Sequence, residues 1–172
     1  LYLTKPLGIG VLSTALKRGL LSETDYSILL KETTSLNSIG EKLGSLPFVN
    51  AVTDVTGFGF IGHLLEMLDN TNCSAVIEKE QVPIIESAKE FASQFVFPDN
   101  TTRNYNDQIK HVDGLTNLDF IFYCDPQTSG GLLFSVNKEH EKEMDLFLKL
   151  NDQFFAKVGS VTEKKEKAII FS

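Results

Sequence analysis

Apolar and polar positions follow two rhythms along this chain, and the switches between them mark the elements. In TKPLGIGVLSTALKRG, the residues Leu7, Val11, Leu12, Ala15 and Leu16 recur at helical spacing. Thr4 and Pro6 mark the start of this helix and Gly19 its stop, with Lys17 and Arg18 in the last turn. SETDYSILLKETTSL predicts a second helix, with Ser22 as N-cap and Asp25 three residues on, close to a capping box. A third helical stretch, LNSIGEKLGSL, ends before Pro47. The β-branched run NAVTDV reads as a strand and GFIGHLLEMLDN as the helix after it. CSAVIEKE is a further strand, and PIIESAKEFASQF a helix with Pro83 at its start. Residues 98–118 are polar and without a period, which predicts a long loop. DFIFYCD and GGLLFSV read as buried strands, and NKEHEKEMDLFLKLN as an amphipathic helix capped by Asn137. The tail FFAKVGSVTEKKEKAIIFS reads as two strands joined by a charged turn. Helices outnumber strands early and strands pair late. That pattern is a mixed α/β sandwich, not a regular doubly wound sheet.

Composition narrows the picture. The chain has 172 residues, 42% of them hydrophobic and 13 of them Phe, enough to bury one core as a single domain over residues 1–172. No run of about 18 apolar residues occurs and no basic-apolar leader opens the chain, so a soluble, cytoplasmic protein without a membrane partner is expected. The first residue is Leu1, not Met, which reads as the middle of a larger gene product. A formal charge of -7 argues against a nucleic-acid partner. Cys73 and Cys124 are too isolated for a disulfide framework or a zinc site and read as half-buried thiols in a reducing compartment.

Two stretches carry candidate chemistry. In TDVTGFG, Asp54 stands at the carboxyl end of a strand, where open sheets place ligand contacts. One carboxylate there can supply a hard oxygen to Mg²⁺, which keeps several waters and takes few protein ligands. Gly57 and Gly59 allow a tight turn into a helix whose first N–H groups face the same region. From spacing alone the commoner role is favoured, with Asp54 or Thr56 no more than the N-cap of that helix. In CDPQTSGGLL, Asp125-Pro126 begins a turn, Thr128 and Ser129 offer hydroxyls, and Gly130-Gly131 admits a close backbone approach. This stretch is either a turn between strands or an N–H-rich concavity facing an anion. It is not a P-loop, since no Lys follows the glycines. His63, three residues before Glu66, reads as a surface or capping residue, and His111 and His140 as solvated. No Ser-His-Asp or Cys-His arrangement emerges from sequence order.

LTKPLGIGVLSTALKRG, NAVTDVTGFGFIGHLLEM and CDPQTSGGLLFSV, in that order, resemble the C-terminal half of selenophosphate synthetase, also called selenide, water dikinase. The resemblance runs from Leu3 to Val136, and AKVGSVTEKKEKAIIF resembles the family's closing strands. Either motif alone points only to the wider AIR-synthetase-like superfamily; together they are specific. Phe60-Ile61 replaces a more usual aliphatic pair, and NTTRNYNDQI is only loosely like the family's Asn/Arg segment.

The resemblance implies a three-layer α/β/α sandwich on a mixed β-sheet. It also implies a two-domain enzyme that makes selenophosphate from selenide, ATP and water, leaving AMP and phosphate. Cleaving both phosphoanhydride bonds requires dense negative charge to be neutralised by divalent ions, here Mg²⁺, held by a few carboxylates. Most of that machinery lies in the family's N-terminal half, so no catalytic residue carries over to this chain, and the fragment alone is expected to be inactive. Asp54 matches the metal-binding aspartate of TDVTGFG. Thr53, Thr56, Asp125 and Thr128 are weaker candidates for cofactor contact, on motifs expected to line the same cleft. The implied partners are the missing N-terminal domain, ATP and selenide, with the full-length enzyme a homodimer. The alternatives are another superfamily member, such as a purine-pathway synthetase, a thiamine-phosphate kinase or a hydrogenase-maturation protein, or a stand-alone binding domain. DPQTSGGLL speaks against the other enzymes.

Overall fold

In the computed structural model, which describes residues 1–116 and 118–172, the described strands form two four-stranded sheets. The strands are Tyr2–Leu3 (β1), Val49–Asp54 (β2), Cys73–Ile77 (β3), Val112–Asp113 (β4), Leu132–Val136 (β5), Ala156–Lys157 (β6), Gly159–Glu163 (β7) and Ile169–Phe171 (β8). The helices are Ile9–Lys17 (α1), Glu23–Thr34 (α2), Ile39–Leu43 (α3), Gly59–Leu68 (α4), Glu86–Ser93 (α5), Asp99–Gln108 (α6), Asp119–Tyr123 (α7) and Glu141–Leu150 (α8). One sheet, ordered β2-β5-β1-β6, is antiparallel throughout. The other, β4-β8-β3-β7, is mixed, with β8 parallel to both β3 and β4 and β7 antiparallel to β3.

Strand β5 shows why Leu132, Leu133 and Phe134 follow one another without a polar residue. Successive side chains point to opposite faces of a sheet. Leu133 joins the cluster of Leu3, Phe60, Ile61 and Leu64 on one face, while Leu132 and Phe134 join Tyr2, Leu43, Met144 and Leu148 on the other. The antiparallel sheet is therefore covered by α4 on one side and by α3 and α8 on the other, the expected three-layer arrangement. The first cluster continues to Ala75, Ile77 and Ile169 of the mixed sheet. Helices α1, α2, α5 and α7 share a third cluster around Ile9, Leu12, Ala88 and Ile121. Strand β2, by contrast, is an edge strand with Asn50, Val52 and Asp54 exposed and the residues between them half-buried.

Several expectations need correction. Residues 98–118 are not one loop: α6 occupies Asp99–Gln108, and Asn117 lies outside the described residues. The helix turns Thr101, Asn104 and Gln108 inward, so its period is written in polar residues and escapes a search for apolar ones. DFIFYCD forms the short helix α7 instead of a strand; a brief all-apolar run has no period to decide between the two. Helix α1 starts at Ile9, because Leu7 bridges to Ile84 and Gly8 takes φ 114°. Its stop is as expected: Gly19 takes φ 69°, and the N–H of Leu20 reaches the Ala15 carbonyl at 2.9 Å, a Schellman closure. Helix α5 likewise opens at Glu86, later than Pro83. Asn137 precedes a short 3₁₀ turn before α8 and makes no side-chain cap. The tail strands β7 and β8 do not pair with each other but flank β3, and β6 joins the other sheet.

Candidate functional site

The two motifs lie side by side. Asp54 pairs with Leu132 across β2 and β5, the Val55 N–H donates to the Gly131 carbonyl at 2.9 Å, and the Gln127 N–H donates to the Thr56 carbonyl at 2.9 Å. Gly59 makes the join possible: it takes φ 71°, and a Cβ there would lie 2.7 Å from the Cys124 carbonyl carbon. From the far side, Asn104 donates through Nδ2 to the carbonyls of Gly57 and Cys124, both at 2.9 Å, and Gln108 donates to the Phe58 carbonyl at 2.9 Å. Helix α6 thus props the TGF turn against the CDPQ turn.

Asp54 ends β2 with its side chain exposed, and among the described residues it joins no salt bridge. It does not cap α4. The N-cap position is Phe58, which is 57% exposed and makes no side-chain cap bond. Thr56 does not cap it either; its hydroxyl bonds His63 Nε2 at 3.0 Å. His63 is not a surface residue. It is 6% exposed, with Nδ1 bonded to Glu66 Oε2 at 2.8 Å and its ring tilted against Phe58. The signal was present in the sequence as Thr56, His63 and Glu66 at offsets of seven and three, but such offsets are common on helices. Thr53 is half-buried, with its hydroxyl a long 3.5 Å from the Asp54 carbonyl, and Thr128 is exposed. His111 and Ser129 are exposed, while His140 stacks on Phe48 and pairs with Glu143 at 2.9 Å.

The second motif turns its polar atoms inward. Asp125, expected to line a cleft, is fully buried instead. Its Oδ2 accepts from the N–H groups of Gly10 at 2.9 Å and Val11 at 3.4 Å, and from Gln127 Nε2 at 2.7 Å. Gln127 Oε1 accepts from the Ile9 N–H at 3.2 Å, so Asp125 and Gln127 together cap α1, whose own N-cap is a glycine. Gly10 is required there, because a Cβ would collide with Asp125 Oδ1 and the Pro126 carbonyl. Burial raises the Asp125 carboxyl to about 7 against the pull of those hydrogen bonds, and it pushes the neighbouring Cys124 thiol up to about 12. Lys5 is buried as well. Its ammonium donates to the carbonyls of Glu32 at 2.9 Å, Ser35 at 2.7 Å and Ser129 at 2.7 Å, and desolvation lowers its pKa. The open question at this turn resolves toward structure: it supplies acceptors to α1 and Lys5.

Among the described residues, no group of three or more His, Cys, Asp or Glu is gathered to hold a metal ion. A groove of about 1050 Å³ runs past Leu1, Asn50, Val136 and Gly159 and includes neither Asp54 nor Thr56. Among the described residues, no helix is long and apolar enough to cross a membrane.

An exposed carboxylate at a strand end, braced by a second motif and a prop helix, is set on a recurrent scaffold. The whole chain, residues 1–172, matches the family described as AIR synthase related protein, C-terminal domain, and belongs to it. Within that family it is similar to the selenide, water dikinases of Shewanella sp. (strain MR-4), 44% identical over 144 residues, and Aeromonas hydrophila, 42% identical over 144 residues. These alignments cover 84% of this chain but only 41% and 42% of the relatives, so the chain spans about two fifths of their length. Among solved structures, a thiamine-monophosphate kinase from Stenotrophomonas maltophilia K279a superposes with TM-score 0.67 at 14% identity, covering 99% of this chain and 49% of that one. The hydrogenase maturation protein HypE in complex with ATP superposes with TM-score 0.68 at 16% identity, covering 99% and 46%. Both show a shared fold.

Proposed function

We propose that this chain is the C-terminal domain of a selenophosphate-forming enzyme and contributes Asp54 to a nucleotide- and metal-handling cleft completed by an N-terminal domain. The reaction converts selenide, ATP and water to selenophosphate, AMP and phosphate. The observation that carries the reading is Asp54 itself: an exposed carboxylate at the end of β2, among the described residues neither cap nor salt-bridge partner, leading into a turn braced from two sides. A fold has no evident use for such a group. A hard anionic oxygen suits Mg²⁺, and one carboxylate suits a site whose remaining ligands come from elsewhere. When bound, Mg²⁺ neutralises charge on the phosphoanhydride oxygens.

The chain's own part is to hold Asp54 at the strand end, with Thr53, Thr56 and Thr128 on the two joined motifs as weaker candidate contacts. ATP as co-substrate accords with the ATP-bound HypE of the same fold. A homodimer of the full-length protein belongs to the same proposal. So does a cytoplasmic location, in keeping with two free cysteines.

The test joins this chain to the N-terminal portion of the Shewanella sp. (strain MR-4) relative and assays selenide-dependent AMP formation. The fusion is expected to be active and the chain alone inactive. Asp54→Asn should remove most of the fusion's activity with an unchanged circular dichroism spectrum, because a neutral amide is a poor Mg²⁺ ligand. Activity that survives Asp54→Asn, or AMP formed by the chain alone, would overturn the reading.

A further inference from the structure

The contacts Thr56–His63–Glu66 form a directed chain of hydrogen bonds that ends on Thr56, two residues past Asp54. Glu66 is half-exposed, its side chain 55% accessible, while the His63 side chain is 8% accessible. A glutamate carboxylate only accepts, so the 2.8 Å bond to His63 Nδ1 is one in which Nδ1–H donates. That fixes the tautomer of the neutral ring and leaves Nε2 with a bare lone pair. The partner of Nε2 at 3.0 Å is the Thr56 hydroxyl, which has a single proton and must give it to the ring. The Thr56 oxygen then keeps its remaining lone pairs and has no proton to offer.

We infer that His63 and Glu66 are positioning residues that lock Thr56, two residues past Asp54, as an acceptor-only hydroxyl that serves as a second oxygen site for a hydrated divalent cation. This rests on the metal-binding reading of Asp54. An acceptor-only oxygen suits the O–H groups of cation-bound water or the cation itself, and it disfavours a phosphate oxygen, which needs a donor. The same contacts also tie the turn to α4, a purely structural role, so the test must separate the two.

Long-range ¹H–¹⁵N spectra of the 172-residue chain at neutral pH read the tautomer directly. The expected result is a protonated Nδ1 and a bare Nε2 on His63; a proton on Nε2, in either the other tautomer or the doubly protonated ring, would overturn the inference. The second measurement titrates Mn²⁺ into the labelled chain and follows paramagnetic broadening of the amides of residues 53–57. Thr56→Val should raise the Mn²⁺ concentration for half-broadening about fivefold, the worth of one ordinary hydrogen bond, and Thr56→Ser should restore it. Unchanged broadening in a folded Thr56→Val variant would sink the inference while leaving Asp54 as ligand. Unchanged broadening in Asp54→Asn would remove both.

Discussion

Asp54 and Asp125 stand on adjoining segments, each followed within six residues by a threonine and two glycines, and their surroundings are opposite. Asp54 lies exposed on an edge strand, outside every salt bridge among the described residues. Asp125 is fully buried, with one oxygen shared among three donors. The difference follows from where backbone donors need satisfying. Helix α1 begins at a glycine that cannot cap it, and the nearest acceptors are Asp125 and Gln127, more than a hundred residues away in sequence. Helix α4 makes no such demand on Asp54. One aspartate therefore serves the fold, and the other is left for something outside it.

Truncation should expose this contrast most strongly. Asp125→Ala strands the N–H groups of Gly10 and Val11 and the Gln127 amide inside the protein, at a cost of about 3 kcal/mol or more in urea denaturation. A loss below about 1 kcal/mol would mean that water or a shifted side chain caps α1 equally well.

The next effect is on pH dependence. Burial lifts the Asp125 carboxyl to about 7, above the ordinary value of 3.8 that it has when unfolded. The folded state then holds its proton more tightly than the unfolded state between about pH 4 and pH 7, so this group's contribution to stability grows as pH falls through that window and is lost as pH rises. Between about pH 7.5 and pH 5 the gain should be roughly 2 kcal/mol, and Asp125→Asn should flatten it. A ¹³C titration of the Asp125 carboxyl with a midpoint below 4 would show instead that the N-terminal field of α1 outweighs burial.

A smaller effect tests the prop between the two motifs. Asn104 donates to both turns, to Gly57 in the first and Cys124 in the second. Asn104→Ala should cost about 1–2 kcal/mol, mostly through the buried Cys124 carbonyl, and should raise amide exchange in both turns together. Faster exchange in only one turn would argue that the motifs are held independently.

How much of this was readable beforehand depended on whether apolar spacing carried the signal. Leu7 through Leu16 mark α1, Ser22 with Asp25 marks α2, and the apolar run of Leu132, Leu133 and Phe134 marks a doubly covered strand. Helix α6 is hidden because its inward face is Thr101, Asn104 and Gln108, and α7 because its four apolar residues, Phe120, Ile121, Phe122 and Tyr123, have no period. At the site, the position of Asp54 at a strand end was readable from the local run of residues. The fate of Asp125 was not, since its partners Gly10 and Val11 lie 115 and 114 residues away. His63 was missed for a related reason: a buried histidine with both nitrogens satisfied has the same spacing as an exposed one.

The smallest expected effect is the one that most sharpens the contrast. An aspartate capping a helix loses about 1 kcal/mol on replacement by alanine. Asp54 sits one turn ahead of α4, where sequence alone allows that role, yet the N-cap position is Phe58 and the Thr56 hydroxyl is engaged with His63. Asp54→Ala should therefore shift the denaturation midpoint by an amount equivalent to less than about 0.5 kcal/mol, as for an exposed residue with no side-chain partner among the described residues. The same substitution in the fusion protein should remove most of the selenide-dependent AMP formation. Stability and activity would then respond to the two aspartates in opposite ways, with Asp125→Ala losing stability and Asp54→Ala losing only the chemistry. A loss of about 1 kcal/mol or more in Asp54→Ala would give that carboxylate a task within the fold, and it would no longer count as held free for a cation.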